Sequence, residues 1–121
     1  MPRPQKGRRV CCMPSNLQFG PLVANYESKE VIIMTVDEYE TIRLIDHEGF
    51  TQEESAKLMS VARTTVQWIY MSARKKLSDA LVNGKLLKIQ GGNYELCDGK
   101  EQNCVCGGCK KHKIINQIEP L

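Results

Sequence analysis

The sequence predicts a mainly α protein built on a sigma-like helix-turn-helix, with an extended N-terminal arm, a small β-hairpin and a Cys-rich C-terminal tail. Three observations predict it: two Thr-x-x-Glu helix starts, apolar residues at three- and four-residue steps between Ala56 and Leu81, and four of the six cysteines gathered at 97–109. A chain of 121 residues is one domain's worth, enough for a modest core and short for an enzyme with a deep cleft. Hydrophobic content of 41% and charged content of 26% are ordinary for a soluble chain. The longest apolar run, VIIM at 31–34, is too short to span a bilayer, and the basic start MPRPQKGRRV has no apolar segment behind it to make a secretory signal. A cytoplasmic, reducing location is therefore expected, and in it cysteines serve metals or redox chemistry rather than structural disulfides.

Residues 1–30 hold four of the five prolines and no sustained hydrophobic period, which predicts a basic arm and loop. Residues 31–96 form the expected core domain and 97–121 the tail. Val31–Met34 is β-branched and apolar, a short strand. Thr35-Val-Asp-Glu38 is a capping box that opens a helix running to Gly49, with Tyr39, Ile42, Leu44 and Ile45 on its apolar face. Thr51-Gln-Glu-Glu54 opens a second, shorter helix carrying Ala56, Leu58 and Met59. From Arg63 a third helix steps through Val66, Ile69, Tyr70, Ala73, Leu77, Ala80 and Leu81 and stops at Asn83-Gly84. KLLKI, the turn-like Gln90-Gly91-Gly92-Asn93 and YELC then read as the hairpin.

Charge is segregated along this order. Residues 1–26 carry four basic and no acidic side chains, 27–54 nine acidic and two basic, and 57–90 seven basic and one acidic. A basic arm and a basic third helix suit a polyanion, while the acids of 37–54 read as helix-start charges and a solvated face. No nucleophile–base pair, phosphate loop or paired carboxylate in a cleft appears, so the chain is not expected to be an enzyme.

Two helices that cross at a large angle need a small residue for close approach and apolar residues meeting around the corner. Ala56 is the small residue, and Met59, Val61, Val66 and Ile69 fall where the contact requires them. Arg63, Thr64, Gln67, Trp68 and Met71 are left facing away. Arginine pairs with guanine and glutamine with adenine in the major groove, so Arg63, Thr64 and Gln67 are candidates for base or phosphate contact. Arg74, Lys75 and Lys76 are candidates for phosphate, and Arg8 and Arg9, with Arg3 and Lys6, for backbone or minor-groove contact by the arm. Trp68 serves DNA, a second subunit, or packing under the hairpin. Ser60 stands at the tight turn where glycine is common, and Ala62 at the cap of the third helix, a poor capping residue that costs about 1 kcal/mol against serine.

The run TQEESAKLMSVARTTVQWIYMSARKKL resembles the helix-turn-helix of the promoter-reading fourth region of sigma factors. Over residues 1–92 the blocks MPRPQKGRRVC, VIIMTVDEYETIRLIDHEGFTQEESAKLM and SARKKLSDALVNGKLLKIQGG, in that order, resemble the domain-of-unknown-function-134 family of small prokaryotic predicted DNA-binding proteins. That resemblance implies a sigma-like DNA-binding fold and names no target. The sequence-level expectation is a sequence-selective transcriptional regulator on double-stranded DNA. A homodimer is expected because one short helix-turn-helix reads few base pairs. The alternative is a metal-binding interaction module that meets RNA polymerase or another partner.

Cys97, Cys104, Cys106 and Cys109 form C-x6-C-x-C-x2-C, with two glycines inside the last pair. Four thiolates around a glycine turn suit a tetrahedral ion, zinc first and an iron–sulfur cluster second. His112 or one of Cys11 and Cys12 can replace the more distant Cys97. His47 reads as a solvated surface residue.

Overall fold

Both threonine helix starts form as complete capping boxes. Thr35 and Thr51 accept from the amides of Glu38 and Glu54, and each glutamate accepts in turn from its threonine's amide at 2.9 Å. The computed structural model describes residues 7–23, 27 and 29–96. In chain order the elements are β1 (Arg8–Val10), β2 (Gln18–Phe19), β3 (Val31–Met34), α1 (Val36–Thr41), a π-helical continuation (Ile42–His47), α2 (Gln52–Met59), α3 (Arg63–Asn83), β4 (Leu86–Ile89) and β5 (Tyr94–Leu96). Helices and strands share the described residues, so the class is mixed α/β rather than mainly α.

Two expectations are corrected. The arm is not wholly extended loop, because β1 and β2 are hydrogen-bonded strands. Nor do the last two strands form a hairpin. β4 is the centre of a three-stranded sheet, antiparallel to β2 (Phe19 opposite Leu87) and parallel to β3 (Val31 opposite Leu86, Met34 opposite Ile89). β5 instead pairs parallel with β1, Arg8 opposite Tyr94 and Val10 opposite Leu96. The glycine pair explains the difference. Gly91 and Gly92 adopt φ of 73° and 97°, and the Val36 amide donates to the Gly91 carbonyl at 3.0 Å. A β-carbon on Gly92 would lie 2.5 Å from Asp37 Oδ1 and 2.7 Å from Thr35 Cβ. The turn is thus pressed against the start of α1, and the chain leaves β4 for the other sheet.

The helix opened by Thr35 serves two cores. Tyr39 and Ile42 pack on the cluster of Val10, Met34, Val36, Ala73, Leu87 and Ile89. Leu44 is buried in a second cluster with Ala56, Met59 and Val66, against which Ile45, Phe50, Leu58 and Val61 pack. Between them the turns widen, the Glu48 amide reaching the Arg43 carbonyl five residues back at 2.8 Å.

The acids of α1 are the third correction: Asp37, Glu38 and Glu40 are buried, not a solvated face. Each carboxylate has a cation or donors from elsewhere, without which burial would be too costly. Asp37 meets Arg8 of β1 at 3.5 Å. Glu38 accepts from Lys76 at 2.6 Å and from the Ser72 hydroxyl, both on α3. Glu40 accepts from Arg43 at 2.7 and 3.1 Å and from the Cys11 amide at 2.9 Å. Burial pushes the Glu38 carboxyl up, but the hydrogen bonds from Lys76, Ser72 and Thr35 outweigh it and hold the group below its ordinary value near 4.5. A depressed carboxylate stabilises the fold above its unfolded-state pKa and loses that contribution as pH falls through the lower folded value. Glu38→Gln is therefore expected to cost about 1.5–3 kcal/mol at neutral pH. It should also flatten the decline of stability below about pH 4.5, read from urea unfolding midpoints across pH.

Candidate nucleic-acid interface

The corner between α2 and α3 is built as the apolar spacing predicts. Ala56, Met59 and Val66 are buried together, Val61 packs against them, and Ile69 is buried further along α3. Ser60 ends α2 at φ 57° and ψ 44°, the left-handed conformation usually given to glycine, and its amide and that of Val61 close the turn onto Lys57 and Ala56 carbonyls at 3.2 and 3.0 Å. A non-glycine residue there costs about 1–2 kcal/mol, so the turn is held by the packing beneath it. Ala62 then starts α3 with extended backbone and no side-chain cap.

Beyond the corner, Arg63, Thr64, Gln67, Trp68 and Met71 are all exposed. Their spacing of one, three, one and three residues puts them on one side of a helix. Trp68 is 72% exposed, which rules out the packing role beneath the strands. Arg74 and Lys75 continue the exposed polar surface. Lys76 does not join them, because its ammonium is committed to Glu38. Arg8 and Arg9 are half-buried strand residues, and Arg8 faces Asp37 rather than lying on a free arm; Arg3 and Lys6 lie outside the described residues.

Arg74 has supports the sequence pattern did not single out. Its Nε lies 3.8 Å from Asp46, and its guanidinium stacks over the Tyr70 ring at 5.3 Å. The Tyr70 hydroxyl donates to the other oxygen of Asp46 at 2.6 Å. Burial, then the hydrogen bond and charge of Asp46, push the Tyr70 phenol up, so it remains a donor at neutral pH. The four-residue step from Tyr70 to Arg74 was visible in sequence, but Asp46 is 24 residues from Tyr70 and nothing local links them. An open depression lined by Asp46, Arg74, Lys75, Leu77, Ser78 and Leu81 borders this basic stretch. His47 is exposed, 4.0 Å from Glu48, as a surface residue should be.

Around the helix from this face lies an apolar groove of about 520 Å3, lined by Phe19, Pro21, Tyr39, Leu77, Leu81 and Leu87 among others. Leu81 and the neighbouring Val82 are 84% and 78% exposed. Among the described residues no group of three or more His, Cys, Asp or Glu could hold a metal; Cys97, Cys104, Cys106, Cys109 and His112 lie outside them. No described helix is long and apolar enough to cross a membrane.

Fold and site together define a small mixed α/β protein that mounts a polar, partly basic helix face on a buried helical corner. The chain belongs to the family described as protein of unknown function DUF134, whose model matches residues 1–97. It is 61% identical over 113 residues to UPF0251 protein DSY3441 of Desulfitobacterium hafniense, covering 93% of this chain and 90% of that one. UPF0251 protein Teth39_0655 of Thermoanaerobacter pseudethanolicus is 47% identical over 98 residues, 81% of this chain and 83% of the relative. UPF0251 protein CT1277 of Chlorobaculum tepidum is 43% identical over 90% of this chain, which spans 55% of that longer relative. No solved structure matches the chain.

The uncapped start of α3 leads to a test of the corner itself. Ala62→Ser supplies the missing acceptor for the first amides of α3 and is expected to stabilise the protein by about 1 kcal/mol in urea unfolding. Unchanged stability would show that those amides already have partners.

Proposed function

We propose that the protein is a sequence-selective DNA-binding transcriptional regulator that reads double-stranded DNA with a sigma-like helix-turn-helix, α2 and α3. It acts by binding rather than catalysis, in the cytoplasm, with a metal held by tail cysteines modulating it. The observation that carries this reading is the exposed row Arg63, Thr64 and Gln67 on the first two turns of α3, directly after the buried corner. A recognition helix contacts base edges with its N-terminal residues, and these three can donate and accept there. Arg74 and Lys75, further along, serve phosphates, which fix register without reading sequence.

Arg63→Ala and Gln67→Ala are each expected to cost about 1–3 kcal/mol of specific binding and to relax the preferred sequence, measured by fluorescence anisotropy on operators recovered by genome-wide capture. Lys75→Ala should weaken all sequences alike and lower the salt slope by about 1. Retained selectivity in the first two variants would remove the base-reading role. The exposure of Trp68 and Met71 on the same face favours the second reading, a docking surface for RNA polymerase or another protein, since both residue types are enriched in interface cores. Under that reading the Arg63 and Gln67 variants leave partner binding unaltered.

The same regulator acts as a homodimer, a second copy covering the apolar groove and the exposed Leu81 and Val82 that border it. Two half-sites multiply the specificity of one short helix, and burying exposed leucine and valine supplies the association energy. Leu81→Lys is expected to shift sedimentation from dimer to monomer and to weaken operator binding at least tenfold while leaving the unfolding midpoint within about 0.5 kcal/mol of wild type.

A further inference from the structure

Arg63, Gln67, Tyr70 and Arg74 follow one another along α3 at steps of four, three and four. That spacing sets them in one stripe, so Arg74 lies on the side of the helix that carries Arg63 and Gln67. From Gln67 to Arg74 the helix rises about 10.5 Å, the length of about three nucleotide steps along one strand of B-DNA.

The stripe is braced from outside α3. The Tyr70 hydroxyl donates to one oxygen of Asp46 at 2.6 Å, the other oxygen lies 3.8 Å from Arg74 Nε, and the guanidinium sits over the Tyr70 ring at 5.3 Å. At 3.8 Å the carboxylate contact is an ion pair, too long for a hydrogen bond. Among the described residues the Arg74 guanidinium therefore makes no hydrogen bond, although its place is set from two sides. Asp46 is itself held. It rides on the π-helical stretch Ile42–His47, directly after Leu44 and Ile45, which join the second cluster with Val66 of α3. Ile69 and Ala73, which precede Tyr70 and Arg74, are buried. Both ends of the bond between Asp46 and Tyr70 are thus fixed by buried neighbours.

We infer that Asp46 and Tyr70 are positioning residues for Arg74, and that the three form a preset seat for one phosphodiester of the DNA backbone. An arginine fork takes two phosphate oxygens at once, a match that the point charge of a lysine lacks. With the Nε edge turned to Asp46, the two Nη groups remain for those oxygens. Holding the fork in place before contact avoids part of the cost of ordering a long side chain on binding. The carboxylate also repels DNA, but it lies at the surface, where salt screens its charge.

The inference rests on the DNA-binding reading, and the experiment separates the two. Operator duplexes recovered by genome-wide capture are prepared with one phosphate at a time replaced by a neutral methylphosphonate. Fluorescence anisotropy then gives their affinities for wild type, Arg74→Ala, Tyr70→Phe and Asp46→Ala, with far-ultraviolet circular dichroism confirming each fold. Wild type is expected to lose about tenfold at one phosphate, about three nucleotides from the base that Gln67 reads, and Arg74→Ala to be insensitive there. Tyr70→Phe changes no charge, because the phenol is held protonated at neutral pH. It and Asp46→Ala are each expected to bind the intact operator about threefold more weakly, and to match wild type once that phosphate is neutral. A merely structural role weakens every duplex alike, and that result overturns the inference while leaving the DNA reading in place. Tighter binding by Asp46→Ala marks the carboxylate as a repelling charge alone and has the same consequence. Should Asp46→Ala fail to fold, Tyr70→Phe decides by itself. Capture that recovers no operator overturns both.

Discussion

The short helix α1 carries three buried carboxylates, and the arrangement of everything else follows from the requirement that each be neutralised. Asp37 takes Arg8 from β1, Glu38 takes Ser72 and Lys76 from α3, and Glu40 takes Arg43 and the Cys11 amide. Removing a charged hydrogen-bond partner from a buried carboxylate costs about 1.5–3 kcal/mol, because it leaves the remaining group unpaired away from water. Exposed pairs such as Arg74 with Asp46 contribute about 0–1 kcal/mol each. The α1 contacts therefore outweigh every surface pair in setting where β1 and α3 lie.

With α3 fixed along its middle by Glu38 and at the corner by Met59 and Val66, its first turns can stay exposed without loss of position. That is the condition for a face that binds a rigid groove, since ordering loose side chains at the moment of contact would subtract from affinity. The same anchoring commits the Lys76 ammonium to Glu38 and leaves Arg74, braced by Tyr70 and Asp46, as the better-oriented cation. The apolar groove along α3 shares Leu77 and Leu81 with the depression beside Arg74 and Lys75, so covering it with a second copy would place that copy near the basic stretch.

The helices and the corner were legible because their determinants are local. A threonine and a glutamate three residues apart make a capping box from sequence neighbours alone, and steps of three and four mark a buried stripe wherever it packs. The exposed row from Arg63 to Met71 followed from the same periodicity. The acids of α1 misled because carboxylates at a helix start are stabilised by the dipole in either environment, and only partners at distances of 29 to 38 residues show that they are inside.

By itself, then, the order of residues determined which segments are helical, where they begin and which side of α3 is polar, since those depend on interactions within a few residues. Strand partnership belonged to the tertiary structure. Whether Leu86–Ile89 folds back on Tyr94–Leu96 or lies between β2 and β3 depends on Gly92 fitting against Thr35 and Asp37, a contact between segments more than fifty residues apart. The same long-range choice sets β5 parallel beside β1, because a strand's edge has no partner encoded in its own few residues.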